Sequence, residues 1–143
     1  MIRVKRRTDY AIRILLTLAK HTGEKRLSGK ALQDECNVPQ AFFRRIVADL
    51  ARLGLVETIS GPHGGVRLAL PLREITLRQI VEGLEGPVAL SECLLEHSTC
   101  PFGDACPVRP WWQHAQDALL QNLERASLDK LLDGVLPLVE DEA

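Results

Sequence analysis

Apolar residues at Ala11, Ile14, Leu15, Leu18 and Ala19 recur at the three- and four-residue spacing of one helix face. A first helix is therefore expected, capped by Thr8, with the Asp9 carboxylate in its first turn where the helix dipole favours it, and ending near Gly23. A second, shorter helix should run from Ser28 to Asn37, with Leu27 and Leu32 placed as a hydrophobic staple and Ala31 on its buried side. Pro39 suits the first turn of a third helix with apolar positions Phe42, Phe43, Ile46, Val47 and Leu50, which Gly54 ends in a left-handed conformation. The period then changes. Leu55 to Ser60 reads as a strand, GPHGG at 61–65 as a turn, and Val66, Leu68 and Leu70 alternate with Arg67 and Ala69.

After Pro71 the helical period returns. Thr76 and Gln79 form a capping box, Ile75 and Ile80 a staple, and Leu77, Ile80, Val81 and Leu84 a buried face that stops at Gly86-Pro87. Pro110 opens a longer helix with a stripe of Trp112, Ala115, Leu119, Leu123 and Ala126. A long apolar stripe placed after the core residues have been supplied suits pairing with a second copy of the chain, or folding back on its own domain. Ser127 caps a last turn around Leu128, Leu131 and Leu132, and the acidic tail of Glu140, Asp141 and Glu142 is expected to be disordered. The fold class is thus mainly α with a small β-hairpin wing. A winged helix-turn-helix domain is expected over 1–71, a connecting helix and cysteine loop over 72–108, and a dimerisation helix with a C-terminal tail over 109–143.

Charge sharpens the picture. Of the 143 residues, 18 are Lys or Arg and 19 Asp or Glu; the first 70 hold 13 of the basic and 6 of the acidic residues. A basic half joined to an acidic half is the pattern of a nucleic-acid reader with a non-binding partner module. A short helix, a tight turn and a second helix exposing Gln40, Arg44, Arg45 and Arg52 make a helix-turn-helix, and the hairpin after it is its wing. The expected contacts to double-stranded operator DNA are Ser28, Gln40, Arg44 and Arg45 on the helices, His63, Gly64 and Arg67 on the wing, and Arg6 and Arg7 at the basic N-terminus. No nucleophile–base pair, phosphate loop or carboxylate dyad stands out, and His21, His97 and His114 have no evident sequence partners, so no enzyme activity is expected.

The candidate chemistry lies in ECLLEHSTCPFGDAC, which gathers Cys93, Cys100 and Cys106 into one loop; Cys36, apart from them, reads as a small buried apolar residue. An odd number of loop thiols cannot all be used in intrachain disulfides, and neither a secretory signal nor a membrane-spanning run is evident. A cytoplasmic protein with a metal or redox role is expected. Zinc could take Cys93, His97, Cys100 and Cys106, an iron-sulfur cluster could take three thiolates and a weaker fourth ligand, or two thiols could form a disulfide switch. Spacing leaves all three open.

Together, RRTDYAIRILLTLA, LVETISGPHGGVRLA, ITLRQIVEGLEGPVAL, the ECL-C-C triplet and SLDKLL resemble the winged-helix iron-sulfur repressors, the family of the nitric-oxide-sensing NsrR and the biogenesis regulator IscR. The resemblance covers nearly the whole chain. It implies a homodimer held by the long helix, with a cluster (4Fe-4S, or 2Fe-2S) on Cys93, Cys100 and Cys106, and Asp9 of the other subunit as fourth ligand. It also implies nitric oxide or an oxidant as the signal. In the biogenesis branch the fourth ligand is a histidine three residues after the last cysteine; that position is Arg109 here, which points to the nitric-oxide-sensing branch. The interval from Cys93 to Cys100 is one residue longer than the family spacing, and Ser60 stands where the family often has arginine before Gly61-Pro62. A cluster-free or zinc-stabilised thiol-switch regulator is the competing expectation.

Overall fold

The local signals that punctuate the chain become the ends of its elements. In this computed structural model, which describes residues 3–21 and 26–134, the order is α1 (Arg6–Lys20), α2 (Gly29–Cys36), α3 (Gln40–Arg52), β1 (Val56–Ile59), β2 (Gly65–Leu68), α4 (Leu77–Glu85), α5 (Arg109–Arg125) and α6 (Leu128–Asp133). Ser28 caps α2 by accepting the Ala31 N–H at 3.1 Å, and Asn37 ends it at φ 53°. Thr76 and Gln79 make the reciprocal box at α4. β1 and β2 pair antiparallel, Val56 opposite Leu68 and Ile59 opposite Gly65. The expected end near Gly23 and the acidic tail lie outside the described residues.

Three expectations change. Thr8 does not cap α1: the helix starts three residues earlier, Lys5 is its N-cap, and Thr8 is buried in the first turn. Phe42 does not join the core, because one helix cannot turn two successive bulky side chains the same way; Phe43 takes the buried position and Phe42 is 49% exposed. Ala31 is exposed too, and Leu32 and Cys36 supply the inner side of α2.

A single core holds these parts together. Ile14, Leu15, Leu32, Ile46 and Leu50 meet Val56 of the wing, and Ile75, Ile80 and Leu128 from beyond it are as fully buried. A backbone clasp sets the last of these: the Leu128 N–H donates to Ile75 O and the Leu77 N–H to Ala126 O, both at 2.9 Å. The end of α5 is thereby tied to the start of α4, and α6 packs on α1. The stripe of α5 stays largely uncovered within the one chain. Trp112 and Ala115 are exposed, Leu119 and Leu123 half-buried, and of the residues of α5 only Gln116 is buried.

Candidate nucleic-acid interface and thiol cleft

The loop before α2 and the start of the wing are joined edge to edge. Leu27 donates its N–H to Val66 O at 3.0 Å, and Val66 donates back to Leu27 O at 2.7 Å. This pairing fixes the hairpin beside the helix-turn-helix and leaves between them an open groove of about 760 Å³. Ser28, Gln40, Arg44 and Gly64 all line it, as does Lys30, whose basic side chain the sequence reading passed over. A Lys at the second position of a helix capped by Ser28 is visible in the sequence, but only the fold shows that it lines the same groove as Arg44. Arg45 is exposed on α3, and His63 at the wing tip.

Two of the other expected contact residues also make ion pairs within the domain. Arg7 lies 2.5 Å from Asp49, a buried carboxylate on α3 that also takes Arg52 at 3.2 Å. Such burial demands a partner, so part of the Arg7 guanidinium is held inside the domain. Arg67 spans the hairpin to Glu57 at 2.6 Å, its partner in the strand register. Arg6 is exposed at the start of α1. His21, without an evident partner in the sequence, sits 2.8 Å from Glu35 of α2.

The second site is a cleft of about 970 Å³ between the end of α4, the loop that follows it and α5. Cys93, Cys100, Cys106 and His97 all line it, with Trp112 and Gln116 from α5 on the other wall. Gln116 holds the walls together, its buried amide oxygen accepting the Leu90 N–H at 3.0 Å. Arg109 pairs with Asp104 and so ties the loop to the start of α5. All four cysteines are free thiols; Cys93 is 3.4 Å from the Ser91 hydroxyl. Three soft donors on one cleft match the chemistry an iron-sulfur group takes. Yet among the described residues no three His, Cys, Asp or Glu side chains are gathered into a coordinating set. The Cys3His arrangement considered for zinc is therefore not assembled here. Asp9, exposed in the first turn of α1 and paired with Arg13 at 3.3 Å, does not line the cleft of its own chain.

Cys36 is different in kind. Burial pushes its thiol above the usual range, while the other three lie at or near the surface. Because the thiolate is the reacting form, a maleimide at neutral pH should label Cys93, Cys100 and Cys106 first and Cys36 about tenfold or more slowly. Peptide mass spectrometry after timed labelling reads this directly. Equal rates for all four would contradict the buried placement.

The profile of the Rrf2 family, described as an iron-dependent transcriptional regulator, matches residues 4–134. This chain belongs to that family. It is 35% identical over 126 residues to the HTH-type transcriptional regulator NsrR of Shouchella clausii, covering 87% of this chain and 85% of that one. NsrR of Halalkalibacterium halodurans is also 35% identical, over 87% and 86% of the two chains. Among solved structures, CymR (YrzC), the global cysteine regulator of B. subtilis, superposes with TM-score 0.76 at 27% identity, over 95% of this chain and all of that one. T. potens IscR superposes at TM-score 0.72 over 93% and 88%, and at 22% identity it supports the fold alone. The Rrf2 chain described here is a transcriptional regulator of a DNA-binding family with the winged-helix architecture the sequence led one to expect. No helix among its described residues is long and apolar enough to cross a membrane.

Proposed function

We propose that this Rrf2-family chain represses transcription as a homodimer whose operator affinity is set by an iron-sulfur group, with nitric oxide or a related oxidant as the signal. The observation that carries this reading is the lining of a single cleft by Cys93, Cys100 and Cys106, none of them in a disulfide, beside an α5 stripe left uncovered within one chain. The three thiolates would hold the group, and Asp9 of the second copy would add a carboxylate. Bound there, the group would supply iron open to nitric oxide or an oxidant, with the Asp9 carboxylate a weaker partner for it than the three thiolates. The α5 stripe pairs the two copies, and the groove between α2, α3 and the wing takes the duplex. Ser28, Gln40 and Arg44 face the DNA from the helices, while Lys30, Gly64 and the exposed parts of Arg6 and Arg45 lie on phosphates and base edges. Seating Asp9 on the partner's loop fixes α1 and with it the spacing of the two α3 helices, about one turn of DNA or roughly 34 Å. Without that tie between Asp9 and the partner's loop, α1 would no longer fix the spacing and repression would lift. The reading extends to a protein that works in the cytoplasm.

The test is a visible spectrum with iron, sulfide and zinc analysis on protein purified without oxygen. A brown sample whose broad absorption is bleached by nitric oxide is expected, and Asp9→Ala should shorten the lifetime of that absorption. A second reading, a thiol switch without a cluster, is favoured by the likeness to CymR, the global cysteine regulator of B. subtilis, together with three thiols on one cleft. It would be adopted if the sample is colourless and a mild oxidant produces a disulfide among the three loop cysteines.

A further inference from the structure

The single buried residue of α5, Gln116, is polar and only 8% exposed. Its amide carries one acceptor oxygen and two N–H donors, and a buried site calls for partners to them. The oxygen has one: Oε1 accepts the Leu90 N–H at 3.0 Å. Because Leu90 offers a donor, the oxygen must face it, and this turns Nε2 to the other side of the amide. Neither N–H of Nε2 meets an acceptor among the described residues. Among those residues the side-chain atoms sealed from solvent without a partner are Arg7 Nε and Thr8 Oγ1, so Nε2 retains an opening. The space that Gln116 lines is the thiol cleft.

Three glutamates line that cleft, Glu82, Glu92 and Glu96, and no lysine or arginine does. Thiolates gathered there would carry negative charge with no cation on the walls, and charge without a partner away from bulk water is costly. On the loop side the Ser91 hydroxyl lies beside Cys93. On the α5 side the buried donor is Gln116. We infer that Gln116 Nε2 donates a hydrogen bond to a sulfur of the iron-sulfur group on Cys93, Cys100 and Cys106, and thereby raises its reduction potential. This role rests on the proposed cluster and deepens it by naming a residue that sets how readily the group is reduced. An N–H directed at a thiolate or sulfide draws electron density from it and favours the form with the extra electron. Gln116 is thus a tuning residue and not a ligand, held in place by the backbone of Leu90, three residues before Cys93.

The experiment compares full chains of wild type, Gln116→Glu and Gln116→Met, purified without oxygen. Gln116→Glu keeps an acceptor for the Leu90 N–H and loses the donors, whereas Gln116→Met loses both without adding charge. The readouts are the midpoint potential from a redox titration of the visible absorption and the iron–sulfur stretching bands in H2O and D2O. Both variants should remain brown with a potential more negative than wild type, Gln116→Glu the more so because it adds a negative charge. The shift of the stretching bands on deuteration should shrink in both. Circular dichroism and the exchange rate of the Leu90 amide show that fold and tether persist in Gln116→Glu; if Gln116→Met does not fold, the deuteration shift in Gln116→Glu decides. A potential and a deuteration shift equal to wild type in Gln116→Met overturn the inference, and so does a potential lowered in Gln116→Glu alone, which marks a charge effect. A colourless wild type defeats the cluster reading itself, and the tuning role with it.

Discussion

Arg44→Ala is expected to lower operator affinity by about 10- to 100-fold at fixed salt, equivalent to roughly 1–3 kcal/mol for one good base contact. The size follows from what Arg44 is free to do. It is exposed on α3, it lines the groove together with Lys30 and Gly64, and it makes no ion pair among the described residues. Arg45, likewise exposed and unpaired among the described residues, should give a loss of similar size. Arg52, Arg7 and Arg67 differ, because each already has a carboxylate within 3.2 Å. Arg52→Ala, which leaves Asp49 its Arg7 partner, serves as the control and should cost a few-fold at most. Fluorescence anisotropy across a salt series separates the classes: a base contact relaxes specificity at one position, whereas a phosphate contact lowers the salt slope by about one. Affinity within twofold of wild type for both Arg44→Ala and Arg45→Ala would remove α3 from the interface.

Gly65→Ala should disable the wing. A β-carbon at Gly65 would stand 2.2 Å from the Leu27 carbonyl oxygen and 2.8 Å from its carbon, both backbone atoms that cannot swing aside. To relieve the clash the pairing of Leu27 with Val66 must open, and with it the attachment of the hairpin to the start of α2. A loss of about 1–3 kcal/mol in stability is expected, as for other overpacked sites, with operator affinity down at least tenfold because Gly64 and Ser28 no longer line one groove. Gly29→Ala is the matched comparison. Its β-carbon would meet nothing within 4 Å and its backbone is helical, so stability should rise by about 0.4–1 kcal/mol. Chemical denaturation of both variants decides the matter; equal stability would show that the hairpin is not held by that edge.

The features legible beforehand were those written in neighbouring residues. The capping box of Thr76 and Gln79, the Ser28 cap, the left-handed Gly54 and the glycine-rich hairpin turn depend on backbone groups within a few positions. What escaped notice depends on contacts across the chain. Thr8 resembles a cap in isolation, but the paired Arg7 and Asp49 draw the preceding turn into the helix. Phe42 and Phe43 are equally apolar, and only the direction of the core tells them apart. Lys30 and Gln116 carried no local signal: one earns its place by facing a groove, the other by accepting a hydrogen bond from residue 90. The thiols were legible as a group because they share a loop, whereas the distance between Asp9 and its own chain's cleft is a property of the fold.

The clasp between Ile75 and Leu128 bears on how this chain matures. Leu128 is wholly buried in the core that α1 begins, and α6 rests on α1 across more than a hundred residues of sequence. During synthesis the core of the helix-turn-helix and wing is therefore incomplete until α6 has left the ribosome, and closing so long a loop is expected to slow folding. A nascent chain stopped short of Leu128 would carry α3 and the wing without their final support. A chain that carries α3 and the wing with their full core is thus one that already carries the cysteine loop and α5.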